Sequence, residues 1–372
     1  MIYLDYGATS FHKPPQVRRA VLEAIDRCAN PGRGGYGAAM TASRVVLDCR
    51  ETAAAMFDCQ PEQVVFTSNC THGLNMAIRT LVKPGGNVVI SGFEHNAVTR
   101  PLHGLGAKIR VAGRKLFDCD DTLNAFDTAL AKGADAAIFT HVSNVFGYIL
   151  PVGEMAALCR MKGIPFVIDA AQSAGTLQVS LEKLGADFIA MPGHKGLLGP
   201  QGTGLLLCGR GPEPLLMGGT GSESIRQDMP DQTPDRGEAG TLNVPGIAGL
   251  RAGLEFLKQQ GIDRIHRREV SQVKIAADGL EKLGFQVFAG DHQSGTISFL
   301  TGEDCEETAG KLAKSGVAVR AGLHCAPLAH ESAGTLDSGT VRVSFGYDAN
   351  NAQTDRFLRA AAKLSDLEFQ KF

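Results

Sequence analysis

No apolar run in the 372 residues approaches the ~18 needed to cross a bilayer as a helix. The N-terminus opens as a strand, Ile2-Tyr3-Leu4, and lacks the basic region and apolar stretch of a signal peptide. A membrane partner is therefore not expected. Charge of one sign is also missing: 37 Lys and Arg against 39 Asp and Glu leave a net −2. That balance gives no electrostatic case for nucleic acid or an anionic membrane surface. The nine cysteines are odd in number and scattered without a C-x-x-C pair, which argues against a disulfide framework or a structural zinc site. A reducing, cytoplasmic compartment fits this usage. Tryptophan is absent as well, and its absence excludes nothing. The length leaves room for two domains and a large core.

The stretch richest in chemistry runs from Phe166 to Gly204. Two strand-like runs, Phe166-Val167-Ile168 and Phe188-Ile189-Ala190, lead into Asp169-Ala170-Ala171-Gln172 and into Pro192-Gly193-His194-Lys195. Ligands gather at the carboxyl ends of strands in an α/β sheet, so the acid and the lysine should face one crevice. That combination suggests pyridoxal phosphate, with the lysine holding the aldehyde as a Schiff base and the acid keeping the pyridine nitrogen protonated. Alone, an Asp at a strand end is usually a helix cap, and a Lys between glycines is usually solvated. Occurring together, with His194 alongside and Gly-Pro-Gln-Gly-Thr-Gly following, they favour the functional reading.

Taken in order, Pro14-Pro15 should start a helix running to about Cys28, because proline is tolerated in a first turn. Residues 30–35 read as a loop and Ala39 to Phe57 as a longer helix. The strand Val64-Val65-Phe66 feeds a polar turn, 67–73, and then a helix from Leu74 to Leu81. Strand, polar turn and helix present free N–H groups and a positive dipole end to a phosphate, although an ordinary N-cap uses the same residue types. Further strands are expected at 88–90, 109–111, 136–139 and 205–207. Asn144, after the fourth of the large-sheet strands, would also suit a simple turn. The glycine run before Leu205 lacks the strand-to-helix context of a nucleotide loop. Residues 212–240 read as a long connection, and such loops are usually functional or disordered. From Pro245 to about Gln260 a helix leads into an α+β region, with strands at 285–288 and 296–300, which Ile2–Leu4 should join.

A free cysteine is usually a small buried hydrophobe, and eight of the nine are expected to be that. Cys325 is the exception. It sits in Val319-Arg320-Ala321-Gly322-Leu323-His324-Cys325-Ala326, where Arg320 and His324 are expected to make an accessible, electropositive loop. Such surroundings lower a thiol pKa from about 8.5. Arg342, in Val341-Arg342-Val343-Ser344, offers a fork matched to a carboxylate; an alternating strand would otherwise leave it solvated.

D-A-A-Q-S followed by G-H-K-G-L-L-G-P-Q-G-T-G resembles the class V aminotransferase family, in particular its cysteine desulfurase and selenocysteine lyase branch. The resemblance runs from Ile2 to Ser344. It implies fold type I, an α/β architecture with a mostly parallel seven-stranded sheet, and a homodimer. It also implies a large domain, 14–250, and a smaller α+β domain formed by 1–13 and 251–372. Carried over residue by residue, Lys195 holds the cofactor, Asp169 faces its ring nitrogen and His95, in E-H-N-A-V, stacks on the ring. Thr71, the Cys70 amide and His194 hold the phosphate, with Thr241 reaching the partner subunit's site. Asn144 contacts the phenolic oxygen and the substrate carboxylate, and Gln172 tunes that oxygen. Arg342 and Arg320 serve the substrate, and R-x-G-x-H-C-A places Cys325 as the sulfur-receiving cysteine.

This chain departs from the family in places. Relatives read L-D-N-A-A-T-T where Tyr6 and Gly7 stand here, they carry a phosphate-binding Ser where this chain has Pro192, and their second His is Leu323. The activity implied is conversion of cysteine to alanine with a persulfide left on Cys325, and a protein sulfur acceptor as partner. Selenocysteine lyase, cysteine sulfinate desulfinase and transaminase-like chemistry are the alternatives, with a non-catalytic partner-binding scaffold outside them.

Overall fold

The computed structural model describes residues 1–32 and 34–364. Arg33, in the loop expected over 30–35, and 365–372, the end of the expected smaller domain, lie outside the described residues. The chain opens with β1 (Ile2–Tyr3), α1 (Pro15–Arg27) and α2 (Gly37–Met56). Pro15 stands at the first position of α1, where its missing N–H has no helical partner to lose. Strands and helices then alternate through β2 (Val64–Thr67), α3 (Cys70–Leu81), β3 (Asn87–Ser91), α4 (Asn96–Gly104), β4 (Lys108–Ala112) and α5 (Cys119–Leu130). They continue with β5 (Ala136–Thr140), α6 (Val152–Met161), β6 (Phe166–Asp169), α7 (Leu181–Leu184), β7 (Phe188–Pro192) and β8 (Gly204–Cys208).

β2 to β8 form one seven-stranded sheet in the order β2-β8-β7-β6-β5-β3-β4. Every pairing is parallel except those of β8 with β7 and β2. Strands β2, β5, β6, β7 and β8 are buried at every position, which explains their unbroken apolar runs: helices cover both faces, so no alternation is needed. One face carries Val46, Phe126, Met155 and Ile247 from α2, α5, α6 and the helix after β8. The opposite face carries Leu74 and Ile78 from α3 and Val98 and Leu102 from α4.

One boundary differs from the sequence reading. α3 begins at Cys70, four residues before the expected start, because the Asn69 side chain accepts the His72 N–H at 2.9 Å and caps the helix there. Cys70 and Thr71 are thus its first two residues.

The connection over 212–240 is irregular apart from a single 3-10 turn, Asp235–Gly237. Glu238 fastens its end to the sheet. Its carboxylate accepts two bonds from the Arg50 guanidinium, at 2.8 and 2.9 Å, and the Phe66 N–H at 2.6 Å. Beyond it come α8 (Val244–Gln260), α9 (Ile262–Lys282), β9 (Gln286–Phe288), β10 (Thr296–Leu300) and α10 (Cys305–Lys314). The chain closes with β11 (Val317–Ala318), β12 (Arg320–Gly322), α11 (Pro327–Ala333), β13 (Thr340–Ser344) and α12 (Asn351–Ala361). An antiparallel sheet, β12-β13-β10-β9, lines a second core of Val273, Leu280, Phe299, Val343 and Phe357. β1 joins this region through parallel pairing with β11, and Ile2 and Leu4 enter the same core. Among the described residues no helix is long and apolar enough to cross a membrane.

The Arg50–Glu238 pair is almost fully enclosed, so removing one partner strands a buried charge. Glu238→Ala is expected to lose about 3–5 kcal/mol in urea unfolding, whereas Arg50→Met with Glu238→Leu loses much less. Equal losses in the two variants would show that the pair does not fix the loop.

Candidate active site

The carboxyl ends of the parallel strands deliver their side chains to one cavity. β2 leads to Cys70 and Thr71, β3 to His95, β5 to Asn144, β6 to Asp169 and Gln172, and β7 to His194 and Lys195, all of which line it. Eight of the expected site residues therefore meet, brought from a 126-residue span of sequence by one sheet edge.

Burial, and after it the charge of Arg342, pushes the Lys195 ammonium below its ordinary pKa, with Asp169 opposing the shift. A larger share of neutral amine results, which is the form that reacts with a carbonyl. One oxygen of Asp169 accepts the Ala171 N–H at 2.8 Å and the Cys70 thiol at 3.4 Å. Burial and that carboxylate raise the Cys70 pKa well above the usual value, so Cys70 stays a packing thiol. His95 caps α4, its Nδ1 accepting the Ala97 N–H at 3.0 Å, which leaves Nε2 to carry the ring proton. The first two amides of α3, at Cys70 and Thr71, have no carbonyl to bond inside the helix and suit an anion.

The segment before α1 grips the main chain beside Lys195. The His194 carbonyl accepts the Ser10 N–H at 3.0 Å, the Ser10 hydroxyl at 2.9 Å, the Thr9 hydroxyl at 3.1 Å and Lys13 Nζ at 3.4 Å. The His194 ring lies 3.0 Å from Thr9 Oγ1, and burial, with Lys195 and Lys13 adding, drives its pKa to about 4. Nothing local in the sequence pairs Thr9 and Ser10 with His194.

Arg342, next to the second core, adjoins this cavity through Asn144 and is not among its lining. Arg342 is only 2% exposed, not the solvated residue of an alternating strand, because all of β13 is buried. Its Nη2 donates to Asp5 at 2.8 Å and its Nη1 to the Asn144 carbonyl at 2.9 Å, while Nε has no partner. Asp5, for which the sequence offered no signal beyond its motif, also takes Arg320 at 3.0 and 3.1 Å. Arg320 thus turns to Asp5 and is not among the residues lining the cavity. Gly7 packs against the same guanidinium; a Cβ there would stand 3.1 Å from Arg342 Cζ.

Asn144 donates one amide hydrogen to the His324 carbonyl at 2.8 Å and leaves its buried Oδ1 unpartnered. Gln172 donates to the Gly7 carbonyl at 2.9 Å. Each amide retains a second N–H. Thr241 is not brought to this cavity; it lines another with Ser68 and His72. Cys325 is exposed and the other eight cysteines are buried or half-buried. Its surroundings correct the expectation of a cationic loop. The His324 ring is buried, its pKa pushed to about 3, and Arg320 is paired with Asp5. Burial makes the first neutral and a carboxylate offsets the second.

Residues 2–357 match the family model for Aminotransferase class-V. The chain is similar to the probable cysteine desulfurase of Pyrococcus abyssi, 33% identical over 389 residues that cover 98% of this chain and 94% of that protein. A probable cysteine desulfurase of Methanothermobacter thermautotrophicus is 32% identical, over 93% of this chain and 90% of that protein. Among solved structures, the apo cysteine desulfurase of Thermococcus onnurineus NA1 superposes with a TM-score of 0.90 at 32% identity, covering 98% and 94% of the two chains.

The exposure pattern makes a chemical prediction. Brief iodoacetamide treatment at neutral pH should modify Cys325 first, with Cys49, Cys70, Cys159, Cys208 and Cys305 unreacted until the protein is denatured. Peptide mass spectrometry checks this, and early labelling of Cys70 would contradict the packing described.

Proposed function

Because this chain belongs to the class-V aminotransferase family, we propose that it is a pyridoxal-phosphate-dependent cysteine desulfurase, releasing L-alanine from L-cysteine and taking the sulfur onto Cys325. The observation that carries this reading is the approach of the cysteine loop to the lysine cavity: Asn144, which lines that cavity, bonds the residue next to Cys325. The donor set supports the cofactor, since a buried amine, a carboxylate, an imidazole and two free helix amides surround one cavity.

Pyridoxal 5′-phosphate, when bound, supplies an aldehyde and an electron-withdrawing ring that acidify the α-carbon of an amino acid. Lys195 would hold the group through its amine, Asp169 would keep its ring nitrogen protonated and His95 would support its ring. The amides of Cys70 and Thr71, the Thr71 hydroxyl and His194 would hold its phosphate without the hydroxyl that Pro192 replaces. Thr241 of a second subunit completes that contact in a homodimer. The apolar side chains exposed on α1, α2 and the long connection, such as Leu22, Ile25, Met40 and Met217, support such an interface.

Arg342 and the second N–H of Asn144 would grip the substrate carboxylate, and the second N–H of Gln172 would serve the cofactor's phenolic oxygen. Arg320 acts on the substrate through Asp5, the carboxylate it shares with Arg342. Lys195 takes the α-proton. The Cys325 thiolate then attacks the substrate sulfur: an S–S bond forms, the Cβ–S bond breaks, the electron pair left on Cβ takes a proton, and Lys195 returns the α-proton to Cα to give alanine. A protein acceptor in a reducing, cytoplasmic setting removes the persulfide sulfur. The two hydrophobic cores support a division into a larger domain, 14–250, and a smaller one, 1–13 with 251–372.

Three measurements test the reading. Borohydride reduction and mass spectrometry should find the cofactor on Lys195; an adduct on another lysine rejects the site. A panel of cysteine, selenocysteine and cysteine sulfinate, assayed for alanine, should favour cysteine, and Cys325→Ala should abolish its turnover. Unchanged sulfur release in that variant removes the persulfide step. Gly7→Ala, which crowds Arg342, should raise KM for cysteine about tenfold (about 1.4 kcal/mol) with little change in kcat; an unchanged KM would separate Arg342 from carboxylate binding.

A further inference from the structure

His324 and Cys325 both adopt left-handed backbone angles, with φ of 51° and 56°. Side-chain-bearing residues avoid this region, and consecutive examples persist only where their surroundings over-determine them. Here two hydrogen bonds from across the cleft do so. The Asn144 amide donates to the His324 carbonyl at 2.8 Å, and the Asn96 N–H donates to the Cys325 carbonyl at 2.7 Å. On the near side the turn is closed by the Ala326 N–H on the Leu323 carbonyl at 2.9 Å. The His324 ring stacks on buried His330, with centroids 5.7 Å apart and planes 10° apart.

Asn96 is the first residue of α4, so its N–H has no carbonyl to bond within the helix and lies at the positive dipole end. The residue before it is His95, the cap of the same helix and a wall of the lysine cavity. One helix terminus therefore carries both a cavity imidazole and the main-chain anchor of the exposed cysteine.

We propose that the Asn96 amide is a positioning group for Cys325, holding the thiol-bearing turn in its left-handed form at a fixed distance from the His95 and Lys195 cavity. The proposal rests on the desulfurase reading of Cys325. Asn144 assists from the preceding carbonyl, so the turn is held at two adjacent points.

Proline substitution isolates this bond. Position 96 is a first helical position, where proline is tolerated, and His95, at φ −75° and ψ 155°, already has the conformation a residue before proline prefers. Asn96→Pro therefore removes the donor to Cys325 while keeping α4. Asn96→Ala is the control, because it retains the N–H and loses only the side-chain contact with Thr99 at 3.3 Å.

In the holoenzyme, Asn96→Ala should match the wild type in Cys325 alkylation by iodoacetamide and in kcat. Asn96→Pro should alkylate faster at Cys325 and lose about 10²-fold in kcat for cysteine, the cost of a ~1 Å misplacement, with KM and bound-cofactor absorbance unchanged. Identical alkylation and kcat in the two variants would overturn the proposal. If Asn96→Pro does not fold, hydrogen exchange at Asn96 in the wild type decides: a slowly exchanging amide supports the anchor, and an unprotected one, as for a helix end facing water, overturns it. Full activity of Cys325→Ala would instead defeat the desulfurase reading, and the alkylation contrast would still test the anchor.

Discussion

A guanidinium sealed between the two hydrophobic cores organises this molecule. A buried charge is tolerated only when paired and hydrogen-bonded, and Arg342 meets that demand from two directions. Asp5 comes from the N-terminal segment and the Asn144 carbonyl from the end of β5. Satisfying one side chain thus ties the first residues of the chain, the last strand and the large sheet together. The Lys195 ammonium is depressed first by its burial and then by the same charge.

Around that junction the backbone does much of the positioning. Four donors from residues 9–13 converge on the carbonyl that precedes Lys195. Helix amides at Cys70, Thr71 and Asn96 are left without helical partners, and that of Asn96 bonds the Cys325 carbonyl. The Asn69 side chain starts α3 early enough to present two amides, and the Ala97 main-chain N–H commits the proton of His95 to Nε2.

Much of this was legible in the residue order. The unbroken apolar runs of β5, β6, β7 and β8 mark a doubly covered sheet because each must be buried on both sides. The polar residues that follow them, Asp169 and Lys195 above all, fall at the strand ends where such sheets bind ligands. Thr67 to Gly73 has the composition of a turn, and only the geometry of the Asn69 cap starts α3 at Cys70. Arg342 reads as a fork for a carboxylate, but its pairing with Asp5 is not legible in the sequence, since the two lie 337 positions apart.

The sequence alone therefore determined which chemical groups exist and which local elements carry them, because periodicity, turn chemistry and motif spacing act between near neighbours. Tertiary structure alone decided their charge and aim. His324 is neutral because it is buried, Arg320 is offset because Asp5 lies 3.0 Å away, and the Cys325 turn is left-handed because Asn96 and Asn144 hold its carbonyls. Desolvation and Coulomb energy depend on distances through space and on excluded water, and neither quantity is written in the order of residues along a chain.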